Sequence, residues 1–186
     1  MSTPPGVDVC TIGVAVPIPE PYGGELQGWR RAFGDPLADA IPSHITLLPP
    51  TDVVSAELAV VEKHLTAIAA AGAPFHVHLR GTATFRPVSP VVFVVVAQGI
   101  SHCEMLSKAV RTGPLPGGLS FPYHPHVTVA HHVPDQALDR AFAELADYEA
   151  GFDVTAFSLY EHGADEVWRP RRSFPLGDAR APSRRA

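Results

Sequence analysis

The sequence predicts an α+β fold of two pseudo-symmetric lobes, each a small, mostly antiparallel sheet with helices on its outer side. Three observations indicate it. Short β-branched apolar runs alternate with segments whose apolar residues recur every three or four positions. A His-x-Thr run followed by a helix occurs once in each half of the chain. No linker-like stretch interrupts residues 1–177, so we expect a single bilobal domain with a central cleft.

The first half of the chain alternates strands and helices after a turn-like leader at residues 1–7. The predicted elements are a strand at 9–17, a helix at 20–33, a strand at 41–48 and a helix at 55–71. We expect Pro49-Pro50 to end the second strand, because proline cannot donate to a sheet ladder. Leu58, Val61 and Leu65 give the second helix its apolar stripe, and Gly72 marks its end.

The second half repeats this order with more strands. The predicted elements are a strand at 75–79 that continues past a bend through 81–85, a central strand at 91–97, a helix at 101–111, a strand at 126–130, a helix at 135–148, a strand at 152–160 and an edge strand at 167–175. Ser101 and Glu104 have the spacing of a capping box at the start of the helix. Residues 178–186 are basic and contain proline, which indicates a flexible tail.

Composition limits the classes of function. A net charge of −5 argues against non-specific coating of nucleic acid, although a small nucleotide or RNA end remains open as a substrate. Cys10 and Cys103 are too few for a disulfide framework. No signal peptide and no apolar run of about 18 residues is apparent, so we expect a cytoplasmic protein with no membrane partner. No coiled-coil heptads occur, and a monomer is the default expectation.

Two short runs carry the chemistry: His44-Ile45-Thr46-Leu47 and His126-Val127-Thr128-Val129. Successive side chains of a strand point to opposite faces, so the His and Thr of each run share one face. The apolar residues between them face a core. Two such runs, one in each half of the chain, predict the two halves of a single active site.

Two imidazoles facing one another suit a reaction that needs a base and an acid near neutral pH. Hydroxyl groups beside them can donate hydrogen bonds to phosphate oxygens. Together these groups would serve phosphodiester hydrolysis without a metal or cofactor. One histidine would take a proton from the attacking water, and the other would protonate the departing ribose oxygen. Either histidine could fill either role.

The paired motifs resemble those of the 2H phosphoesterase superfamily, also called the 2′-5′ RNA ligase-like family. The similarity extends to Leu48-Pro49-Pro50 after the first motif and to the lead-in 121–125 before the second. It also includes the closing pattern from Phe152 to Gly177. The resemblance therefore covers roughly residues 8–177. It implies a bilobal α+β fold whose two motifs face a central cleft.

This resemblance also implies roles for individual residues. His44 and His126 would be the catalytic pair, with Thr46 and Thr128 as phosphate ligands. Many members carry an arginine three residues after the second motif's threonine, where this chain has His131. We expect His131 to contact substrate in its place. The family's activities imply hydrolysis of a 2′,3′-cyclic phosphate, on an RNA end or a small nucleotide, as in RNA processing.

Tyr123 is an independent candidate for substrate binding, because aromatic rings near such a site can stack on an unpaired base. Three alternatives stay open. The same cleft could bind nucleotide or RNA without turnover, or it could perform 2′-5′ RNA ligation, the reverse of hydrolysis. The four histidines at 124, 126, 131 and 132 could also hold a metal, but a single strand does not readily bring them together. We therefore expect no metal site.

Overall fold

The structure, a computed structural model, describes residues 8–115 and 118–177 of the 186-residue chain. Its elements are β1 (Val9–Pro17), α1 (Tyr22–Ala32), β2 (His44–Val54), α2 (Leu58–Ala71), β3 (Phe75–Thr84), β4 (Val91–Gln98), α3 (Ile100–Val110), β5 (His126–His131), α4 (Asp135–Glu144), β6 (Glu149–Val154), β7 (Ala156–His162) and β8 (Trp168–Pro175). A short 3₁₀ turn at Ser55–Glu57 precedes α2. The predicted leader and tail lie outside the described residues.

The strands form two four-stranded sheets, which confirms the predicted α+β architecture. Sheet A has the order β2-β1-β7-β8, and sheet B has the order β5-β4-β3-β6. Every neighbouring pair is antiparallel. The two motif strands, β2 and β5, each lie at one edge of their sheet. As predicted, the proline-containing strand β8 is also an edge strand.

The two sheets do not correspond to the two halves of the sequence. Sheet A is built from β1 and β2 near the start of the chain and from β7 and β8 near its end. Sheet B takes all four of its strands from the middle segment between them. Sheet A therefore forms only when β1 pairs with β7, a strand that is far from it in the sequence.

The prediction that Pro49-Pro50 ends the second strand is wrong, because β2 continues to Val54. Its register with β1 shifts at these prolines: Thr51 is opposite Ile12, whereas Leu48 is opposite Val14. The prolines thus occupy a bulge on an edge strand, where the missing N–H groups break no ladder.

The prediction of a single strand at 152–160 is also wrong. The chain leaves sheet B after Val154 and enters sheet A at Ala156, so β6 and β7 belong to different sheets. The alternation of apolar and polar residues continues through Thr155, and the periodicity therefore gives no sign of the change. Since β6 begins at Glu149, the preceding helix ends at Glu144 rather than at 148.

The predicted capping box at Ser101 does not form. Helix α3 begins one residue earlier, at Ile100, and Gly99 precedes it with a φ of +93°. No side chain caps this end of the helix. A β-carbon on residue 99 would lie 2.8 Å from the carbonyl oxygen of His76, so the chain turns directly from β4 into α3 at a glycine.

The helices join the two sheets by crossing over. Helix α1, which follows β1 of sheet A, contacts motif strand β5 of sheet B. In the same way α3, which follows β4 of sheet B, contacts motif strand β2 of sheet A. The buried apolar residues of both sheets form one continuous cluster. The helices within residues 8–115 and 118–177 are all too short or too polar to cross a lipid bilayer.

Candidate active site

The two motif histidines occupy equivalent positions in their sheets. His44 is the first residue of β2, and His126 is the first residue of β5. Opposite them on the neighbouring strands are Pro17 and Val95 respectively. Burial of Ile45 and Val127, both fully inaccessible to solvent, turns the His and Thr of each motif to the other face.

Each histidine ring is oriented by the carbonyl group two residues before it. Nδ1 of His44 donates a hydrogen bond to the oxygen of Pro42 at 2.6 Å. Nδ1 of His126 donates in the same way to the oxygen of His124 at 2.7 Å. A carbonyl oxygen can only accept, so the proton of each neutral ring lies on Nδ1 and the lone pair on Nε2. Both Nε2 atoms are thus able to accept a proton.

Burial lowers the pKa of both motif histidines. For His126 the pKa falls to about 4, with positive charge on His124 and His44 as smaller causes. The pKa of His44 is lowered by burial first, and the positive charge of Arg30 adds to the effect. In each ring the bond to the carbonyl partly opposes the shift. Both imidazoles are therefore neutral at pH 7, the form that can act as a base.

The structure brings the second motif close to the first. Thr128 and His131 line the same cavity as His44, a space of about 90 Å³ that Arg30 and Asp35 also border. His131 is the last residue of β5, and its ring stacks on that of His132 at 3.6 Å between centroids. Burial and the charge of His132 lower the pKa of His131. Thus His131 reaches the cleft without a permanent charge.

Tyr123 occupies a different position from the one expected of a base-stacking residue. Its hydroxyl group donates a hydrogen bond to the carbonyl oxygen of Thr46 at 2.8 Å. The ring is half-buried and packs against the apolar cluster, and burial raises the pKa of the phenol. Tyr123 therefore joins the lead-in of the second motif to the strand of the first. Substrate contact by this residue stays a prediction.

Helix α1 fixes the segment that orients His44, a feature the sequence analysis missed. Gln27 accepts hydrogen bonds from the backbone N–H of Ser43 at 2.9 Å and from its hydroxyl at 3.0 Å. Its amide nitrogen donates to the oxygen of Ile41 at 3.1 Å, and Arg30 donates to the same oxygen at 2.6 Å. Residues 41 and 43 are thus held on either side of Pro42, whose carbonyl group orients the His44 ring. We call this set the α1 clamp.

Arg30 is held in turn by a buried ion pair, which the sequence analysis also missed. Its Nε and Nη2 atoms both lie 3.0 Å from Oδ2 of Asp35, and the two residues are 4% and 5% exposed. The other oxygen of Asp35 accepts the N–H of Leu37 at 2.9 Å. In the sequence, Arg30 shares the apolar stripe of its helix, and a charged residue at a buried position is the signal that could have indicated this pair.

An apolar cavity of about 190 Å³ opens beside the first motif. Its walls are Gly13, Val14, Ala15, Ile41, Pro42, His44, Thr46, Leu48, Pro50, Tyr160 and Trp168. The ring of Trp168 lies against the backbone of Gly13, where a β-carbon would be 3.2 Å from Cζ3 of the indole. The backbone N–H of Trp168 donates to Ala40 at 2.9 Å. Trp168 belongs to the closing pattern from Phe152 to Gly177, but nothing in the sequence indicates that it lies beside His44.

On the strand beside the second motif, a large aromatic side chain fills the position opposite the threonine. There Phe93, opposite Thr128, is 2% exposed and packs on Phe85 at 4.4 Å between ring centroids. Both phenylalanine rings lie 5.0 Å from the ring of His126.

In the described part of the chain, no set of three or more His, Cys, Asp or Glu side chains is placed to hold a metal ion.

Comparison with known proteins identifies a family from the sequence and a matching fold among solved structures. The family model of the 2′-5′ RNA ligase superfamily matches residues 18–166. A protein of Bacillus cytotoxicus named "Putative phosphoesterase" is 26% identical over 155 residues, which is 82% of this chain and 89% of the relative. A relative of the same description from Oceanobacillus iheyensis is 28% identical over 172 residues, 89% of this chain and 97% of its own.

Among solved structures, Escherichia coli LigT complexed with 3′-AMP superposes with a TM-score of 0.69. The match covers 92% of this chain and 100% of LigT, at 18% sequence identity. At this identity the similarity shows the fold. It confirms that the two antiparallel sheets and four helices have the arrangement found in LigT.

Proposed function

Because this chain belongs to the 2′-5′ RNA ligase superfamily, we propose that it is a phosphoesterase that hydrolyses 2′,3′-cyclic phosphates by acid–base catalysis. The substrate would be a nucleotide or an RNA end, and the two motif histidines would be the catalytic pair. The observation that carries this proposal is the matched pair of Nδ1–carbonyl hydrogen bonds, which leaves an Nε2 atom available on each ring.

In the proposed reaction, Nε2 of one histidine takes a proton from water as the water oxygen bonds to phosphorus. The bond from phosphorus to one ribose oxygen breaks, and Nε2–H of the other histidine protonates that oxygen. The product is a nucleoside monophosphate with a free neighbouring hydroxyl group. Hydroxyl groups of Thr46 and Thr128 would donate to the non-bridging oxygens, where negative charge grows in the transition state.

The acid needs a proton that the free protein lacks at pH 7, since both imidazoles are then neutral. Binding of a phosphate monoanion would favour protonation of one imidazole, because a nearby negative charge raises the pKa of an imidazole. Which of His44 and His126 is the acid would depend on the direction in which the substrate lies.

The comparisons support this proposal at the coarser level of a phosphoesterase. Relatives from two bacteria have that description, and LigT has been crystallised with a nucleoside monophosphate. The net charge of −5 and the neutral His131 favour a small cyclic nucleotide or a short RNA end over long RNA. A long RNA chain would need a basic surface to neutralise its phosphates.

The proposal is tested by hydrolysis of the four nucleoside 2′,3′-cyclic phosphates and of a short RNA with a cyclic end, in EDTA. We expect turnover by the wild type and a loss of 10²-fold or more in His44→Ala and in His126→Ala. His76→Ala is the matched control, since His76 is exposed on sheet B and pairs with Asp153 at 2.8 Å. It should keep wild-type turnover.

Binding without turnover, equal in wild type and variants, would contradict the proposal and favour the non-catalytic binding module. Activity that EDTA abolishes would instead indicate a bound metal. Product analysis by chromatography distinguishes 2′- from 3′-phosphates, and it also detects ligated RNA if the reverse reaction occurs.

A further inference from the structure

The pseudo-symmetry of the two motifs is broken at one position beside each threonine. Thr46 is opposite Ala15 on β1, and Thr128 is opposite Phe93 on β4. Residues directly opposite one another in antiparallel strands project from the same face of the sheet. The place that Phe93 fills beside the second motif is therefore left open by Ala15 beside the first.

Two further residues shape this opening. Gly13, two positions before Ala15 on β1, has no side chain, and the edge of the Trp168 indole lies against the strand there instead. The resulting cavity includes His44 and Thr46 in its wall. A phosphate held between the two motifs would thus have this open space beside it on the side of the first motif.

We propose that this cavity is the subsite for the base of the substrate, and that it takes purine and pyrimidine rings alike by stacking against Trp168. The proposal rests on the proposed function, because it assumes a nucleotide whose phosphate lies between the motifs. It adds the part of the site that holds the nucleoside and states that base identity is not read.

The size and chemistry of the walls support a planar ring as the occupant. A volume of about 190 Å³ is below the roughly 300–1,000 Å³ of pockets for drug-sized ligands, and it suits one ring system. Most of the wall is aliphatic, glycine or proline. Tyr160 and Trp168 are the lining residues, besides His44 and Thr46, whose side chains can form hydrogen bonds.

The lack of base discrimination follows from the same walls. A site that reads a base needs donors and acceptors aimed at its edge, and a site that only stacks accepts every base through its π face. Tyr160 is 8% exposed, so its side chain presents little polar surface to the edge of a base. Stacking on an indole then supplies affinity without selectivity.

Fluorescence of Trp168 tests the subsite directly and without turnover. The chain has two tryptophans, and Trp29 of α1 stacks on Phe33, so phenylalanine can replace it there. In Trp29→Phe protein, we expect adenosine and cytidine 3′-phosphates to quench the remaining indole with dissociation constants within about threefold of one another. Ribose 5-phosphate, which has no base, should not quench at the same concentrations.

Kinetics separate this proposal from the proposed function. We expect Trp168→Ala to raise KM for cytidine 2′,3′-cyclic phosphate about 5- to 150-fold, the loss typical of one base–aromatic stack. In Trp168→Phe, KM should return most of the way to the wild-type value. Hydrolysis of methyl riboside 2,3-cyclic phosphate, which lacks a base, should have the same KM in all three proteins.

The outcomes of these experiments distinguish failure of the base subsite from failure of the proposed function. Turnover of every substrate with no quenching and no effect of Trp168 would overturn the subsite and leave the catalytic function standing. Quenching by both nucleotides without turnover of any cyclic phosphate would support the subsite and contradict the function. A preference of more than about 30-fold between adenosine and cytidine would overturn the absence of base discrimination.

Discussion

At the scale of single residues, the site depends on how each motif begins its strand. A histidine at the first strand position can turn Nδ1 back to the carbonyl group two residues earlier, as His44 and His126 both do. The next outward-facing position is then a threonine. Burial keeps both rings neutral at pH 7, so the free protein is prepared to accept protons, and a bound anion would favour the acid form at that pH.

The pH dependence of kcat/KM follows from these lowered pKa values. The proposed mechanism needs one protonated and one neutral ring, and the free protein loses its last proton from this pair below the ordinary histidine value of 6.5. We therefore expect kcat/KM to be greatest below pH 6.5 and to fall above it. The phosphate of a bound substrate raises the pKa of the acid, so the alkaline fall of kcat should lie at higher pH.

Steady-state rates from pH 4.5 to 9 measure both profiles. Coincident alkaline limbs for kcat and kcat/KM, or a kcat/KM optimum above pH 7, would contradict this account of the two rings.

At the scale of elements, helix α1 determines how well the first motif is positioned. Its Gln27 and Arg30 side chains hold residues 41 and 43 through four hydrogen bonds. The buried pair of Arg30 with Asp35 keeps the guanidinium group in place. The helix itself packs against β5, so one element both contacts the second motif's strand and orients the first motif's histidine.

We expect Gln27→Ala to lower kcat by about 10- to 100-fold with little change in KM. It removes three of the four clamp bonds, and a shift of about 1 Å in a catalytic group costs on the order of 10²-fold. Gln136→Ala on the exposed face of α4 is the matched control and should leave kcat unchanged. If Gln27→Ala has wild-type kcat at an equal folded fraction, the clamp does not position His44.

Sequence periodicity predicted most elements correctly but not where strands change partners. The apolar stripe of α2 and the central strand β4 were found because their residues pack on a single face or lie buried on both. The continuation of β2 through Pro49-Pro50 was missed because a bulge on an edge strand tolerates prolines. The break at Thr155 was missed because alternation persists while the hydrogen-bonding partner changes.

At the scale of the whole molecule, polar contacts from outside sheet A fix the first motif's strand. Tyr123, in the segment before β5, donates to the oxygen of Thr46, and Ser107 of α3 donates to that of Leu47, each at 2.8 Å. Ser107 is fully buried. Edge strand β2 is thus fixed by groups that come from the segment containing sheet B, which holds the two motifs in a constant relation.

These long-range contacts also explain which parts of the site the sequence could predict. The four motif residues were identifiable because each pattern is local and occurs twice. Gln27 and Trp168 gave no local signal, because the contacts that place them beside the first motif are with residues 41–43 and with Gly13. The same holds for Tyr123, whose ring was identifiable as a candidate but whose partner lies 77 residues away.

We expect Tyr123→Phe to lower the free energy of unfolding by about 1–3 kcal/mol, because the carbonyl group of Thr46 loses its donor at a partly buried position. The motif should also become less well fixed, and kcat should fall more than KM rises. Urea denaturation and steady-state kinetics measure the two effects. Unchanged stability with an increase in KM alone would show instead that the hydroxyl group serves the substrate.

The most direct test of the central claim, that His44 and His126 act as one acid–base pair, is a double-mutant cycle on single-turnover rates. The proteins are wild type, His44→Ala, His126→Ala and the double variant, with a nucleoside 2′,3′-cyclic phosphate as substrate. Residues that act as a unit have strongly non-additive effects. We therefore predict that each single variant loses 10²-fold or more and that the double variant is about as slow as the slower single one. Losses that multiply in the double variant, or a single variant with near wild-type rate, would contradict the claim.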